Sequence, residues 1–280
     1  MFKDILVPML GRRGDMDALN AGVFLAASED AHLTVLQMVY MPTAFATNWA
    51  RKRDVASGEI GRVLRSEGES NAARLRSRLE TESIRAQVKL IECDFPDASE
   101  TVAEHAHHTD LTIVTGALGD KLDAGSMHAF LGSLFLASGG PVIVVPPRCK
   151  VAFPPRRIVV AWRPTREATR ALHDAMPLLM KADAVDVVIV EAAGRAHVGR
   201  ELAAAQIVEH LAQHAVNANL VVLDAGRRPT SSTLLEHVRL IKAGLLVVGG
   251  YGHTRLREAV LGGVTRELLI SATIPVLYSH

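Results

Sequence analysis

Glycines, hydroxyls and arginines gather in "GGYGHTRLREAVLGGVT", Gly249 to Thr265, a combination suited to holding phosphate. Gly249, Gly252 and Gly262 follow a G-x2-G-x9-G spacing, with Gly263, Val264 and Thr265 directly behind. Glycine lets a backbone approach an anion closely and take φ > 0. The free N–H groups at a helix start carry partial positive charge and bind anions. Arg255, Arg257 and Arg266 add cations nearby. No lysine follows the glycines, which argues against a P-loop NTPase. A second stretch, "GALGDKLDAGSMHAFLGSLF", offers Gly116, Gly119, Gly132 and Ser133 with a spacer of twelve and an acidic insert, Asp120 and Asp123.

Other reactive residues are scattered. There is no Ser-His-Asp order, GxSxG or HExxH. Glu104 and His108 stand at i,i+4 in "EHAHH", but no further ligands announce themselves, so they read as an exposed helix end and no metal is expected. Cys93 and Cys149 lack CxxC spacing and read as reduced, inert thiols. Trp162, at the end of an apolar run, has a face to stack on a base; packing is the commoner use of such a tryptophan.

The elements that must position these residues occur twice. "KDILVPMLG" matches "RRIVVAWRP", and "LTVLQMVY" matches "VDVVIVEA". "ETVAEHAHHTDLTIVTGALG" matches "STLLEHVRLIKAGLLVVGGYG", and "GSLFLASGGPVIVVPP" matches "GGVTRELLISATIPVLYSH". Strands are predicted near 3–9, 33–40, 86–92, 111–116 and 142–146, then near 157–162, 185–191, 219–224, 245–249 and 275–279. Helical patterns separate them, including a highly charged one over about 56–83. Strands alternating with helices imply parallel βαβ units. The domains are predicted at 1–148 and 155–280, joined by a linker with two Pro-Pro pairs. In such doubly wound sheets ligands bind beyond the carboxyl ends of the strands, at the topological switch point. The last strand of each half, "GPVIVVPP" and "IPVLYSH", is an apolar edge, and the two are expected to pair with each other.

The chain has 280 residues, 49% of them hydrophobic, so each half can bury a core. A net charge of +1 gives no field that favours nucleic acid or a membrane surface. Neither a signal peptide nor a spanning segment is evident, and the expected location is cytoplasmic.

The repeated α/β half ending in strand–G-x2-G-x9-G–helix–"PVL" resembles the universal stress protein family over essentially the whole chain, in the manner of its tandem two-domain members. The resemblance implies two five-stranded parallel sheets in 3-2-1-4-5 order, an adenine nucleotide alpha hydrolase-like fold, with the domains associating through their last strands. It implies binding of ATP or AMP, with Mg²⁺ as a companion. On this chain the phosphate contacts would be Gly249, Gly252, Gly262, Gly263, Val264 and Thr265, with Gly116, Gly119, Gly132 and Ser133 as the lesser set. The base and ribose would meet the strand ends at Ala161, Trp162, Arg163 and Val190. Two departures stand out. Gly263 replaces the family's Ser or Thr, and Leu10 and Arg163 stand where the family places a first-strand aspartate. A lost charged hydrogen bond costs on the order of 1.5–3 kcal/mol.

The reading that follows is a stress-response protein that binds an adenine nucleotide in its second half. It carries out at most weak ATP hydrolysis, because no general base is evident. One alternative is a nucleotide-free scaffold working through protein partners, with dimerisation of chains open. A nucleotide-dependent transferase is the third.

Overall fold

The computed structural model describes residues 1–41, 50–94, 97–117, 121–149, 152–192, 198–250 and 263–280. The first half runs β1 (Asp4–Met9), α1 (Asp15–Glu29), β2 (His32–Met41), α2 (Ala50–Leu79), β3 (Arg85–Asp94), α3 (Ala98–Ala106), β4 (Leu111–Thr115), α4 (Lys121–Ala137) and β5 (Val142–Val145). The second runs β6 (Arg157–Ala161), α5 (Arg166–Leu179), β7 (Ala184–Ala192), α6 (Val198–Gln213), β8 (Ala218–Gly226), α7 (Thr230–Leu240), β9 (Leu245–Gly249), α8 (Gly263–Ser271) and β10 (Val276–Ser279). Every expected strand is present, with ends moved by at most two residues. The long charged helix starts and ends earlier than expected. Leu79 is the last residue of its buried stripe with Ala72 and Leu75, and the chain then turns through Thr81 and Glu82 into β3.

All ten strands form one sheet in the order β3-β2-β1-β4-β5-β10-β9-β6-β7-β8. Each half therefore has the 3-2-1-4-5 order. Every pairing is parallel except β5 with β10, where Val144, Ile143 and Val142 face Val276, Leu277 and Tyr278. Alternate residues feed opposite faces, as the pleat requires. Ile5, Val7 and Met9 join Ile158, Val160 and Trp162 in the core beneath α1, α2, α5 and α6. Leu6, Leu10 and Val159 lie in the core beneath α3, α4, α7 and α8. Beside the seam, Tyr278 stacks on Phe135 with ring centres 4.9 Å apart. Burial holds the Tyr278 phenol far above its ordinary titration range.

A second link crosses the halves at the far ends of α1 and α5. Lys181 Nζ donates to Glu29 Oε1 at 2.5 Å and to the Ser28 carbonyl at 2.9 Å. The Glu29 side chain is 0% exposed and that of Lys181 35%. Removing one partner of a buried pair strands the other charge. Lys181→Ala is expected to lower stability by roughly 2–4 kcal/mol in urea unfolding, and Glu29→Gln combined with Lys181→Met to regain most of that loss.

Candidate functional site

The glycine-rich segment leaves the end of β9, beside β6, where the winding of the second half reverses. Gly249 is fixed there by crowding: a Cβ would lie 2.5 Å from the Ala168 N and 2.6 Å from the Glu167 carbonyl carbon. The strand end thus abuts the backbone of the first turn of α5, where the Thr165 hydroxyl caps the helix by accepting from Ala168 N–H at 3.3 Å. The first half solves the same contact in reverse. By sheet register Thr115 occupies the place of Gly249, since Thr112 and Leu246 pair equivalently with Val142 and Val276 through Pro141 and Pro275. Opposite Thr115 the helix supplies the glycine: a Cβ on Gly14 would sit 2.0 Å from Thr115 Oγ1.

This register corrects two readings of the first-half motif. Gly116 corresponds to Gly250, not Gly249; their N–H groups donate to the equivalent carbonyls of Val145 and Ser279. Gly132 and Ser133 do not open a helix. They lie about three turns inside α4, where N–H groups are consumed by the carbonyls four residues back. In the second half α8 is described over Gly263–Ser271, and Gly263 and Val264 are exposed. Thr265 shares the buried stripe of α8 with Leu268 and Leu269. Gly119, Gly252, Gly262, Arg255 and Arg257 lie outside the described residues.

At the ends of β6 and β7, Ala161 and Val190 are partly buried on the α7/α8 side. Trp162 points the other way, 4% exposed in the α5/α6 core, with no partner for its indole N–H among the described residues. It packs rather than offering a face to a base. Arg163 and Arg166 are exposed on either side of Thr165.

Two carboxylates escaped the sequence reading. Asp15 and Glu167 are the buried acids in the first turns of α1 and α5, each with one oxygen unpaired among the described residues. The signal was an acid six residues past the end of β1 or β6, where a helix N-terminus favours negative charge. Arg12 N–H donates to Asp15 Oδ2 at 2.9 Å, Arg12 Nη2 donates to Ser126 at 3.0 Å, and Tyr40 donates to the Leu10 carbonyl at 3.3 Å. Burial raises the Asp15 carboxyl to about 6, against the pull of the Arg12, Gly11 and Leu10 N–H groups and the Arg12 charge. Burial also raises the Tyr40 phenol, helped by the charges of Cys93 and Asp15, and it raises the Cys93 thiol. The first half therefore holds an ionisable cluster at the ends of β1, β2 and β3.

No three metal-ligating groups surround a common point among the described residues. Nor is any described helix long and apolar enough to cross a membrane. A groove of about 450 Å³ lies away from both strand-end sites, between the C-terminus of α2 and the start of β3.

Solved structures share this architecture. A universal stress protein from Archaeoglobus fulgidus DSM 4304 superposes with a TM-score of 0.72 at 12% identity, covering 99% of this chain and 95% of that one. The chain has the universal stress protein fold. A putative universal stress protein from Pseudomonas aeruginosa UCBPP-PA14 gives 0.62 at 16% identity, covering 99% and 93%. A functionally unknown protein from Pseudomonas aeruginosa PAO1 gives 0.61 at 16%, covering 99% and 92%. No protein-family model and no curated protein matches the sequence.

Two predictions follow from this geometry. Gly249→Ala drives a methyl into the α5 backbone and should cost about 1–3 kcal/mol. Gly14→Ala should cost a similar amount, and the combined Gly14→Ala/Thr115→Gly variant should lose less than the two single losses added; strict additivity would refute the reciprocal fit. For Asp15, the folded carboxyl binds its proton more tightly than the unfolded one, so its burial costs stability above about pH 6 and that cost fades toward pH 4. Asp15→Asn should therefore raise the melting temperature at pH 8, by an amount worth roughly 1–3 kcal/mol, and raise it much less at pH 4. An equal gain at both pH values would contradict the assignment.

Proposed function

We propose that the chain binds an adenine nucleotide, ATP or AMP, at the carboxyl ends of β6 and β9, with Mg²⁺ accompanying a triphosphate. The observation that carries this reading is the end of β9 at Gly249, beside β6 at the switch point, from which the glycine-rich segment leads to α8. Gly263 and Val264, both exposed, would turn their N–H groups to a phosphate, and glycine at positions 252 and 262 suits a backbone that must approach an anion closely. Arg163 and Arg166, exposed beside the cap of α5, offer charge to the same anion. The backbone around Val190 and Glu191 frames the base, with Ala161 beneath it. When bound, Mg²⁺ neutralises part of the phosphate charge.

The protein would act in a cytoplasmic stress response through its liganded state and its partners, with at most weak hydrolysis. The likeness of its fold to universal stress proteins supports that role. A nucleotide-free scaffold is the second reading, and the burial of Trp162 and of Leu10 at the two first-strand ends favours it.

Thermal unfolding of nucleotide-stripped protein with Mg-ATP, ADP and AMP separates the two. A ligand at 100 times its Kd adds about 2.7 kcal/mol, a rise of a few degrees for domains of this size. The binding reading expects a dose-dependent rise that Gly252→Val abolishes. No rise with any of the three nucleotides leaves the scaffold.

A further inference from the structure

The seam between β5 and β10 closes the inner edges of the two half-sheets and leaves two outer ones, β3 and β8. These two edges are built differently. The exposed residues of β3 are Arg85, Gln87, Lys89 and Glu92. Arg65 pairs with Glu92 at 2.6 Å, and Arg76 Nη2 donates to the Val88 carbonyl at 3.4 Å. Charges and an occupied backbone carbonyl guard a strand edge, because an incoming strand must desolvate the first and displace the second. β8 has neither guard from Ala218 to Leu223, a stretch without a charged residue. Among the described residues, no side chain is hydrogen-bonded to the backbone of that stretch. Leu220 leans on the α5/α6 core, and Val221 and Leu223 lean on the α7/α8 core. Val222 belongs to neither and is 41% exposed. Asp224 is the one charged residue of β8, and its Oδ1 accepts the Gly226 N–H at 2.7 Å.

We propose that the outer edge of β8 is the surface through which two copies of this chain associate, strand against strand and antiparallel, about a two-fold axis at Val222. The outward N–H and C=O groups of alternate residues supply the hydrogen bonds, and the two Val222 side chains meet across the axis. Val222 is the middle residue of Ala218–Gly226, so an axis there overlaps the whole strand. It also keeps like charges apart. The two copies of Asp224 fall four positions from each other along the pair, roughly 13 Å, beyond the Debye length at physiological salt. The other edge that a second copy could offer is β3. That pairing would lay Lys89 and Glu92 beside the apolar run, and, joining two different surfaces, it would propagate instead of closing. Self-pairing closes after two copies. The chain already solves the same problem in this way once, where the apolar edges β5 and β10 pair antiparallel.

The test is analytical ultracentrifugation of the chain over a hundredfold range of concentration. A reversible dimer is expected, with twice the 30.2 kDa mass of one chain. Val222→Lys, at an exposed position, should leave the melting temperature nearly unchanged and weaken the dimer at least about tenfold, because it buries an unpaired charge at the axis. Lys89→Glu, on the other edge, should dimerise as the unmodified chain does. Val222→Cys, with Cys93 and Cys149 replaced by Ser, should form an interchain disulfide under mild oxidation. A chain that stays monomeric at every concentration overturns the proposal. So does a dimer that Val222→Lys leaves intact, or one that Lys89→Glu dissociates. Species that keep growing with concentration would mean β8 on β3 and overturn it as well. A dimer in which Val222→Cys forms no cross-link overturns the axis at Val222.

Discussion

Two strands of four residues hold the molecule together. β5 and β10 are each fully buried, and each would be a bare apolar edge if its half stood alone. Their antiparallel pairing removes both edges and fuses two parallel sheets into one. The direction of that pairing has a consequence for chemistry. The strands of the first half run opposite to those of the second, so their carboxyl ends lie at opposite rims of the sheet. The two strand-end crevices, built on the same plan, are thereby kept apart, and each can change without disturbing the other. The Lys181–Glu29 pair adds a specific contact between the halves.

Within that frame the halves differ most where strand ends meet helix starts. The close approach of the fourth strand to the first helix requires a missing side chain. The second half removes it from the strand, at Gly249, and the first half from the helix, at Gly14. Either choice satisfies packing. Only the first leaves a glycine at the strand end, where a phosphate loop also needs one. Gly249 thus has a structural reason to be glycine that is separate from any ligand, which a motif cannot distinguish.

The strands were legible in the sequence because runs such as "ILVPM" and "LLVVG" are apolar throughout, as strands covered on both faces must be. The 3-2-1-4-5 order came from the resemblance and not from periodicity. The start of α4 was not legible. "DKLDAGSMHAFLGSLF" carries its helix signal evenly, so spacing to Gly132 suggested a loop where the chain is already helical from Lys121. The Gly116 register slipped by one for a related reason. Thr115 and Gly116 can each be aligned with Gly249 in the sequence, and only the hydrogen bond from Gly116 N–H to Val145 fixes which is right. Asp15 and Glu167 were not legible as site residues because they lie in the first turns of the helices that follow, outside the strand ends that the motif marks.

Those two acids bear on why the crevices should not be equivalent. Neither half has a carboxylate at the carboxyl end of its first strand, and both place one in the first turn of the next helix. In the first half that carboxylate accepts the Arg12 N–H, and the Arg12 guanidinium is engaged with Ser126. The Arg12 N–H and guanidinium are thus engaged internally, around a carboxyl that burial raises to about 6. An arriving phosphate would have to displace them and meet that charge. In the second half the cap is the neutral hydroxyl of Thr165, and Arg163 and Arg166 remain exposed beside it. Glu167 is buried under the helix end, where the dipole offsets its charge. Anion binding is a competition with interactions already made, and among the described residues Arg163 and Arg166 stand exposed where Arg12 is engaged. On that ground, and not on the glycine count, the proposed phosphate site is placed in the crevice between β6 and β9.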